Sequence, residues 1–401
     1  MKVDTMRFVD KYAGIPLCAI GTIIKKIFFA SRGKKTPKNI LFIELSEMGS
    51  AILADPAMRK AKKEFNGKLF FLIFKKNKPS LQLLNTVSDE DIFTINADNL
   101  FTLIKDTLRF LIWARKRNID TVIDLELFSR FTALLSGFCG ADNVVGFHNF
   151  HGEGLYRGSM LTHKVLYNPH RHIAKNFIAM INCLTERSDG KPYSKTLIRD
   201  DELNLAKAVI DADTVEKVKA KIKNLFPNYN HEKIVLINPN ASELLPQRRW
   251  ERSKYAKLIQ LIAEKFDNYI ILITGAPAEK AEADDLVKQA SIPNCINFAG
   301  QLKLSELTAL YSISELMVSN DSGPAHFASV TDMPTIVIFG PETPELYKSL
   351  GDTTPIYAGL ACSPCVSAAN HRKTPCTDNV CLQVITPDTV FNEVTKRLNN
   401  A

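Results

Sequence analysis

No stretch of this chain is long and apolar enough to cross a bilayer. Ala13 to Ile24 is largely apolar, but it runs to only about a dozen residues against the roughly 20 a spanning helix needs, and Pro16 and Gly21 interrupt it. No small-residue cleavage site follows, so a plain secretory signal peptide is not expected. No nucleic-acid-binding motif and no short-period repeat is present. Cysteine is sparse for the length. There are eight in 401 residues, four scattered (Cys18, Cys139, Cys183, Cys295) and four clustered (Cys362, Cys365, Cys376, Cys381). That is no secreted disulfide scaffold, and it points to a reducing compartment. What is there in quantity is apolar: 45% of residues are hydrophobic, enough for two separate cores in a chain of this length. The net charge of +8 suits an anionic partner such as a nucleotide diphosphate or an anionic lipid surface. Without a nucleic-acid motif, nucleic acid is set aside.

Behind the N-terminal apolar stretch come Lys25, Lys26, Arg32, Lys34, Lys35 and Lys38. Residues 1–38 therefore read in two ways. An apolar segment followed by basic residues suits contact with an anionic membrane surface. It equally suits a helix packed on the first domain.

From residue 39 onward the pattern alternates strand and helix, which predicts an α/β fold with doubly wound parallel sheets. Asn39 to Leu45 is a short apolar run flanked by turn residues, read as a buried parallel strand. Further strands are expected at Lys68 to Phe74, Asp91 to Ile95, Thr121 to Leu125 and Asn143 to Phe147. Helices are expected between them at Ala51 to Phe65, Asn99 to Arg115 and Ser129 to Phe138. Residues 148–169 read as irregular, and long helices as Arg171 to Leu184 and Asp201 to Leu225. The pattern then restarts, with strands at Lys233 to Asn238, Tyr269 to Thr274, Leu316 to Ser319 and Thr335 to Phe339. The expected organisation is an N-terminal segment 1–38, a Rossmann-like domain 39–190, a linker 191–230, a second Rossmann-like domain 231–386 and a closing helix 387–401.

Ligands of open α/β sheets bind beyond the carboxyl ends of the strands, so the informative residues should follow strands. Four such turns stand out in the second half. In Asn320-Asp321-Ser322-Gly323-Pro324-Ala325-His326 a helix is expected just after a strand, with Pro324 favoured at its first position and the helix running Ala325 to Val330. Free backbone N–H groups there favour a phosphate. Gly323 permits close approach, Asp321 can accept from sugar hydroxyls, and His326 can donate to a phosphate. The alternative is an ordinary helix capped by Ser322. Asn238-Pro239-Asn240-Ala241-Ser242 is followed by Arg248-Arg249-Trp250, where a cation would neutralise a diphosphate. Thr274-Gly275-Ala276-Pro277 is followed by Glu279, which can bind ribose hydroxyls or serve as a first-turn helix acid. Phe339-Gly340-Pro341-Glu342-Thr343 is the fourth.

Asn320 to Ser329 followed by Thr335 to Pro341 resembles the hallmark of glycosyltransferase family 9, the lipopolysaccharide heptosyltransferase family. The turn with R-R-W, the T-G turn with Glu279, the C-terminal cysteine region and Met48-Gly49 after the first strand add to the likeness, which covers roughly residues 39–398. The resemblance implies a GT-B fold with its two Rossmann-like domains facing a cleft. It implies inverting transfer without metal or cofactor, and a donor such as ADP-heptose held by the second domain. Asp321, Ser322 and Gly323 then fall on donor sugar and phosphate positions, Arg248 on a phosphate-contacting lysine position, and Glu279 on a nucleoside contact. Asn240, Ser242, Thr274, Gly275 and His326 complete the expected donor set. The partners implied are a nucleotide sugar, a lipid-linked saccharide acceptor and the inner face of the cytoplasmic membrane.

One position departs from the family. Where it usually reads M-G-D, with the aspartate as acceptor base, this chain has Met48-Gly49-Ser50. A serine hydroxyl is a poor base without its own activator. The carboxylates expected to stand in are Glu47, in the loop, and Asp55, one helical turn on. Two other readings stay open: an epimerase or hydrolase acting on nucleotide sugars with the same architecture and, motivated by Ser50, a donor-binding protein without catalysis. The cluster C-x2-C-x10-C-x4-C has spacing compatible with zinc or a redox pair, but the family's chemistry uses no metal, and none is assigned here.

Overall fold

The computed structural model describes residues 3–28, 35–127, 129–148, 155–186, 194–230, 232–368, 370 and 372–399. Contacts divide the chain into two compact units, Met1–Ala206 and Lys207–Ala401. The division falls inside the span read from sequence as a linker.

The first unit carries strands β1 (Asn39–Ile43), β2 (Lys68–Phe74), β3 (Ile92–Ile95), β4 (Thr121–Asp124), β5 (Asn143–His148) and β6 (His163–Leu166). All pair in parallel, in the order β3-β2-β1-β4-β5-β6. Its helices are α1 (Val3–Tyr12), α2 (Gly14–Phe28), α3 (Met48–Leu53), α4 (Asp55–Phe65), α5 (Pro79–Gln82), α6 (Leu100–Lys116), α7 (Arg130–Phe138) and α8 (Ile173–Thr185). The second unit repeats the plan with β7 (Lys233–Asn238), β8 (Tyr269–Ile273), β9 (Cys295–Asn297), β10 (Leu316–Asn320), β11 (Thr335–Phe339) and β12 (Thr353–Tyr357), in the order β12-β11-β10-β7-β8-β9, again all parallel. Its helices are α9 (Ala212–Leu225), α10 (Arg252–Lys265), α11 (Lys280–Ala290), α12 (Leu307–Ser312), α13 (Gly323–Ala328), α14 (Pro344–Tyr347), α15 (Val380–Gln383) and α16 (Pro387–Asn399).

The central strands are continuous apolar runs because helices cover both faces of each sheet. In β1, Ile40 to Ile43 are fully buried, and in β7 Ile234 to Ile237 are as well. The strand order also locates the crevices. In the first sheet the chain moves outward from β1 and returns to β4, and in the second from β7 to β10. Each neighbouring pair is a topological switch point, where the loops after the two strands diverge and leave room for a ligand. The segments at these points are 44–47 with 125–127 and 129 in the first unit, and 239–250 with 321–322 in the second.

Three expectations are corrected. The helix expected from Asp201 to Leu225 begins only at Ala212, where the Asp211 carboxylate accepts from Thr214 N and caps the first turn. Residues 148–169, read as irregular, contain β6. Helix α13 starts at Gly323 rather than Ala325, which puts His326 at its fourth position.

The N-terminal residues form two helices, with α2 packed on α7. Gly14, Cys18 and Gly21 make the inner face: a Cβ on Gly21 would lie 3.1 Å from the Phe138 ring. Gly158, with φ +74, abuts the same helix, and a Cβ there would lie 2.8 Å from the Cys18 carbonyl. Asp10 of α1 accepts from Arg130 N (3.0 Å) and Phe131 N (2.9 Å) and so caps α7 from outside. The outer face is apolar and exposed, with Phe8, Tyr12, Leu17, Ile20, Ile23 and Ile27 between 49 and 66% accessible. Of the basic residues expected on a membrane-facing surface, Lys26 is exposed. Lys25 turns inward and donates to Met160 O at 3.1 Å, its pKa lowered by burial. Lys35 pairs with Asp142 at 2.9 Å. Arg32 and Lys34 lie outside the described residues. No helix among the described residues is long and apolar enough to cross a membrane.

Candidate active site

The turn after β10 is built around Asn320, whose side chain is completely buried. Its amide nitrogen donates to Pro239 O at 2.6 Å, and its oxygen accepts from Trp250 N at 3.1 Å and Tyr255 Oη at 3.0 Å. One side chain therefore fixes three pieces relative to β10: the turn after β7, the R-R-W segment and α10. Trp250 is anchored a second time by donating Nε1–H to Ile385 O at 3.0 Å.

With Trp250 fixed, its two arginine neighbours take different tasks. Arg249 is spent on its own loop, donating to Ala241 O at 3.1 and 2.8 Å and pairing with Glu243. Arg248 reaches across the switch point. Its Nε lies 3.5 Å from Asp321 Oδ2 and its Nη2 lies 3.2 Å from Glu342 Oε1. The side chains of Asp321 and Glu342 are only 7% and 3% exposed, so these charges meet away from bulk water, where electrostatic interactions are strong. Arg372 joins from the loop between β12 and α15, its Nε 3.4 Å from the same Glu342 oxygen.

The turn after β8 lies alongside. Asn238 at the end of β7 donates to the Thr274 carbonyl (3.2 Å) and hydroxyl (3.1 Å). Gly275 has no room for a side chain, since a Cβ there would stand 2.8 Å from Glu279 Oε2 and 3.1 Å from Asn240 Nδ2. The bare backbone thus brings the Glu279 carboxylate and the Asn240 amide together. Glu279 Oε2 accepts from Ala276 N at 2.6 Å. Asn240 is 6% exposed, and its Nδ2 makes no hydrogen bond among the described residues. A buried amide donor without an acceptor is costly unless a ligand supplies one.

The remaining expected donor residues are placed as follows. Ser322 does not cap α13. Its hydroxyl turns back to Asn320 O at 3.2 Å, which leaves the first-turn N–H groups without a side-chain cap. Gly323 fits against the Phe327 ring, 3.3 Å from an added Cβ. His326 is buried. Ser242 is exposed, and its hydroxyl accepts from Leu244 N at 3.2 Å within its own turn.

In the first unit, the Ser50 hydroxyl donates to Glu47 Oε2 at 3.1 Å, and Glu47 is half-buried at the N-cap of α3. Asp55, expected as an alternative base, is engaged elsewhere. It is fully buried, with Oδ2 accepting from Ala206 N at 2.7 Å and Oδ1 from the Thr86 hydroxyl. Burial raises its pKa, with those bonds and Arg59 offsetting part of the rise. It is a strut between α4 and the end of the unit. Glu126, which sequence reasoning passed over, organises the loop after β1. Its Oε1 accepts from Leu45 N (2.8 Å), Ser46 N (3.0 Å) and Ser46 Oγ (2.8 Å), and burial raises its carboxyl despite these bonds. Arg157 holds the neighbouring loop, pairing with buried Asp124 and donating to Ser129 O at 2.9 Å and Glu126 O at 3.3 Å.

All four clustered cysteines are unbridged. Cys362 is exposed and Cys381 buried. Burial, with the neighbouring thiols adding to it, pushes the Cys381 thiol up and away from thiolate chemistry. Among the described residues, no group of three His, Cys, Asp or Glu side chains is arranged to hold a metal ion.

Two parallel six-stranded sheets with polar clusters at their switch points define a two-domain α/β protein of the GT-B type, and solved structures agree. The ADP-heptose LPS heptosyltransferase II of E. coli superposes with a TM-score of 0.69 over 90% of this chain and 99% of that one, at 18% identity. The E. coli heptosyltransferase WaaC solved with ADP gives 0.61 over 90% and 99%, at 16% identity. In sequence, lipooligosaccharide heptosyltransferase 2 of Campylobacter jejuni is 27% identical over 194 residues, 46% of this chain and 56% of the relative. The alignments span about half the length of such curated relatives. The sequence pattern of glycosyltransferase family 9 (heptosyltransferase) matches residues 113–374, and the chain belongs to that family.

Sequence reasoning passed over Asn320 as a brace and gave Glu342 and Arg372 no role. Asn320 and Glu342 sat inside quoted motifs and could have been found by asking which buried polar residues close a strand. Arg372 lies within the ten-residue spacer of the cysteine cluster, where no local signal marks it.

Proposed function

We propose that this protein transfers a heptose-like sugar from a nucleotide diphosphate donor, with ADP-heptose as the best candidate, to a hydroxyl of a lipid-linked saccharide in lipopolysaccharide or surface glycan synthesis. The observation that carries the reading is the convergence of Arg248, Asp321, Asn240 and Glu279 on the strand ends of the second sheet, where a buried amide donor awaits an acceptor. Glu279 and Asn240 suit the hydroxyls of a ribose. Asp321 suits the hydroxyls of the sugar, and Arg248 the diphosphate. As the bond from the anomeric carbon to the phosphate oxygen breaks, negative charge grows on the departing nucleoside diphosphate, and a preorganised guanidinium stabilises it.

On the acceptor side Glu47 takes the proton of the attacking hydroxyl. The new glycosidic bond forms as the phosphate bond breaks, in one displacement that inverts the anomeric centre and requires no metal. The half-buried Glu47 carboxylate, oriented by Ser50, supports this assignment over Asp55. The outer face of α1 and α2 supports a cytoplasmic enzyme resting on the inner face of the cytoplasmic membrane, apolar residues against anionic lipid.

The test is release of ADP from ADP-heptose with and without the organism's own glycolipid. Acceptor-dependent release, abolished in Asp321→Ala with unchanged circular dichroism, is the expected result. Release that ignores the acceptor would favour a hydrolase, and binding without turnover a non-catalytic donor-binding protein. Full turnover in Asp321→Ala would overturn the role given to Asp321.

A further inference from the structure

We infer that Arg372 is a second cation for the donor's diphosphate, acting beside Arg248; this rests on the donor reading above. Two guanidiniums converge on one atom. Arg248 Nη2 and Arg372 Nε lie 3.2 and 3.4 Å from the same Glu342 oxygen. One carboxylate oxygen thus holds two positive charges close together at the carboxyl ends of β10 and β11, with Asp321 within 3.5 Å of Arg248. The two cations are balanced by two buried carboxylates, Asp321 and Glu342, which hold both guanidiniums at the strand ends instead of letting them extend into water. A ligand carrying two adjacent phosphates suits that pair, because each phosphate can take one planar guanidinium in the fork geometry arginine provides.

The surroundings of Arg372 hold it in position. It lies in the left-handed backbone region at φ +53, a conformation L residues rarely adopt outside glycine positions, and such conformations gather at ligand sites. Its backbone N–H donates to Ser367 O at 2.9 Å. Its guanidinium lies 4.8 Å from the centre of the Tyr347 ring, which orients its plane. The side chain is 17% exposed, so the group is shielded but reachable.

The arrangement assigns the division of labour: Glu279 and Asn240 hold the nucleoside, and the two arginines hold the two phosphates. The experiment is calorimetric binding of ADP and of AMP to the full chain, wild type against Arg372→Ala and Arg372→Lys, with the melting temperature of each. Arg372→Ala is expected to weaken ADP by roughly 10- to 100-fold, AMP by much less, and Arg372→Lys to recover part of the loss. A variant with a lowered melting temperature but wild-type ADP affinity, or equal losses for ADP and AMP, overturns the assignment and leaves Arg372 as a loop tether. A wild-type protein that binds neither nucleotide overturns the donor reading itself.

Discussion

The Ser50 hydroxyl donates to Glu47 across 3.1 Å, so the residue that departs from the family's usual aspartate orients the carboxylate proposed to stand in for it. On the proposed mechanism Glu47→Gln lowers turnover by about 10²- to 10⁴-fold while leaving ADP affinity unchanged. Adding Ser50→Asp to that variant restores part of the rate. Initial rates of ADP release test both, and wild-type turnover in Glu47→Gln removes Glu47 from the mechanism.

Asn320→Ala leaves the Trp250 N–H and Tyr255 hydroxyl without their buried acceptor. A loss of about 3 kcal/mol is expected, since unsatisfied buried donors cost on the order of 1–3 kcal/mol each. Urea unfolding followed by tryptophan fluorescence would show a lower midpoint with an unchanged slope.

Burial raises the Asp55 carboxyl above the ordinary aspartate value of about 3.9. The unfolded chain therefore ionises first as pH rises, while the folded chain keeps its proton longer. This residue's stabilising contribution is complete at low pH and is lost as pH climbs from about 3.9 through the folded value, at up to about 1.4 kcal/mol per pH unit. In Asp55→Asn that loss is absent, so the variant gains on the wild type with rising pH. Denaturation midpoints measured from pH 4 to 8 should diverge in that direction, and parallel curves would contradict it.

The exposed apolar face of α2 and the stripe Phe101, Ile104, Leu108 and Ile112 on α6, flanked by exposed Lys105, Arg109 and Lys116, both suit an anionic bilayer. Glutamate at Ile23 and Ile27, or at Leu108 and Ile112, should release the protein from vesicles containing phosphatidylglycerol while leaving its melting temperature unchanged. Retention of both double variants, or equal binding to neutral vesicles, would count against the contact.

The fold was legible where strands are long, apolar and central. The run K-L-F-F-L-I-F defined β2 to the residue, and K-I-V-L-I-N defined β7. Strands β6, β9 and β12 went unread because they are three to five residues long and lie at or near sheet edges, half-exposed, with Pro355 in the last. The turns after the strands of the second sheet were legible because glycine and proline mark strand-to-helix corners locally. The ion pairs among Arg248, Asp321, Glu342 and Arg372 were not, because charge pairing between distant loops leaves no periodic trace in a sequence. The engagement of Asp55 was hidden for a related reason. Counting one helical turn from Ser50 places it on a face, but only the fold shows Thr86 and Ala206 occupying its oxygens.

The cap that Asp10 places on α7 changes what trimming the N-terminus would do. A protein begun at Asn39, to spare an expression host the greasy arm, would strip the acceptor from Arg130 N and Phe131 N and lay bare the groove that receives Gly14, Cys18 and Gly21. Poor yield from such a shortened protein would then report a helix that had lost its first turn and its cover. It would say nothing about whether the arm is needed for sugar transfer, and that question is better put to a full-length chain with single substitutions on the outer face.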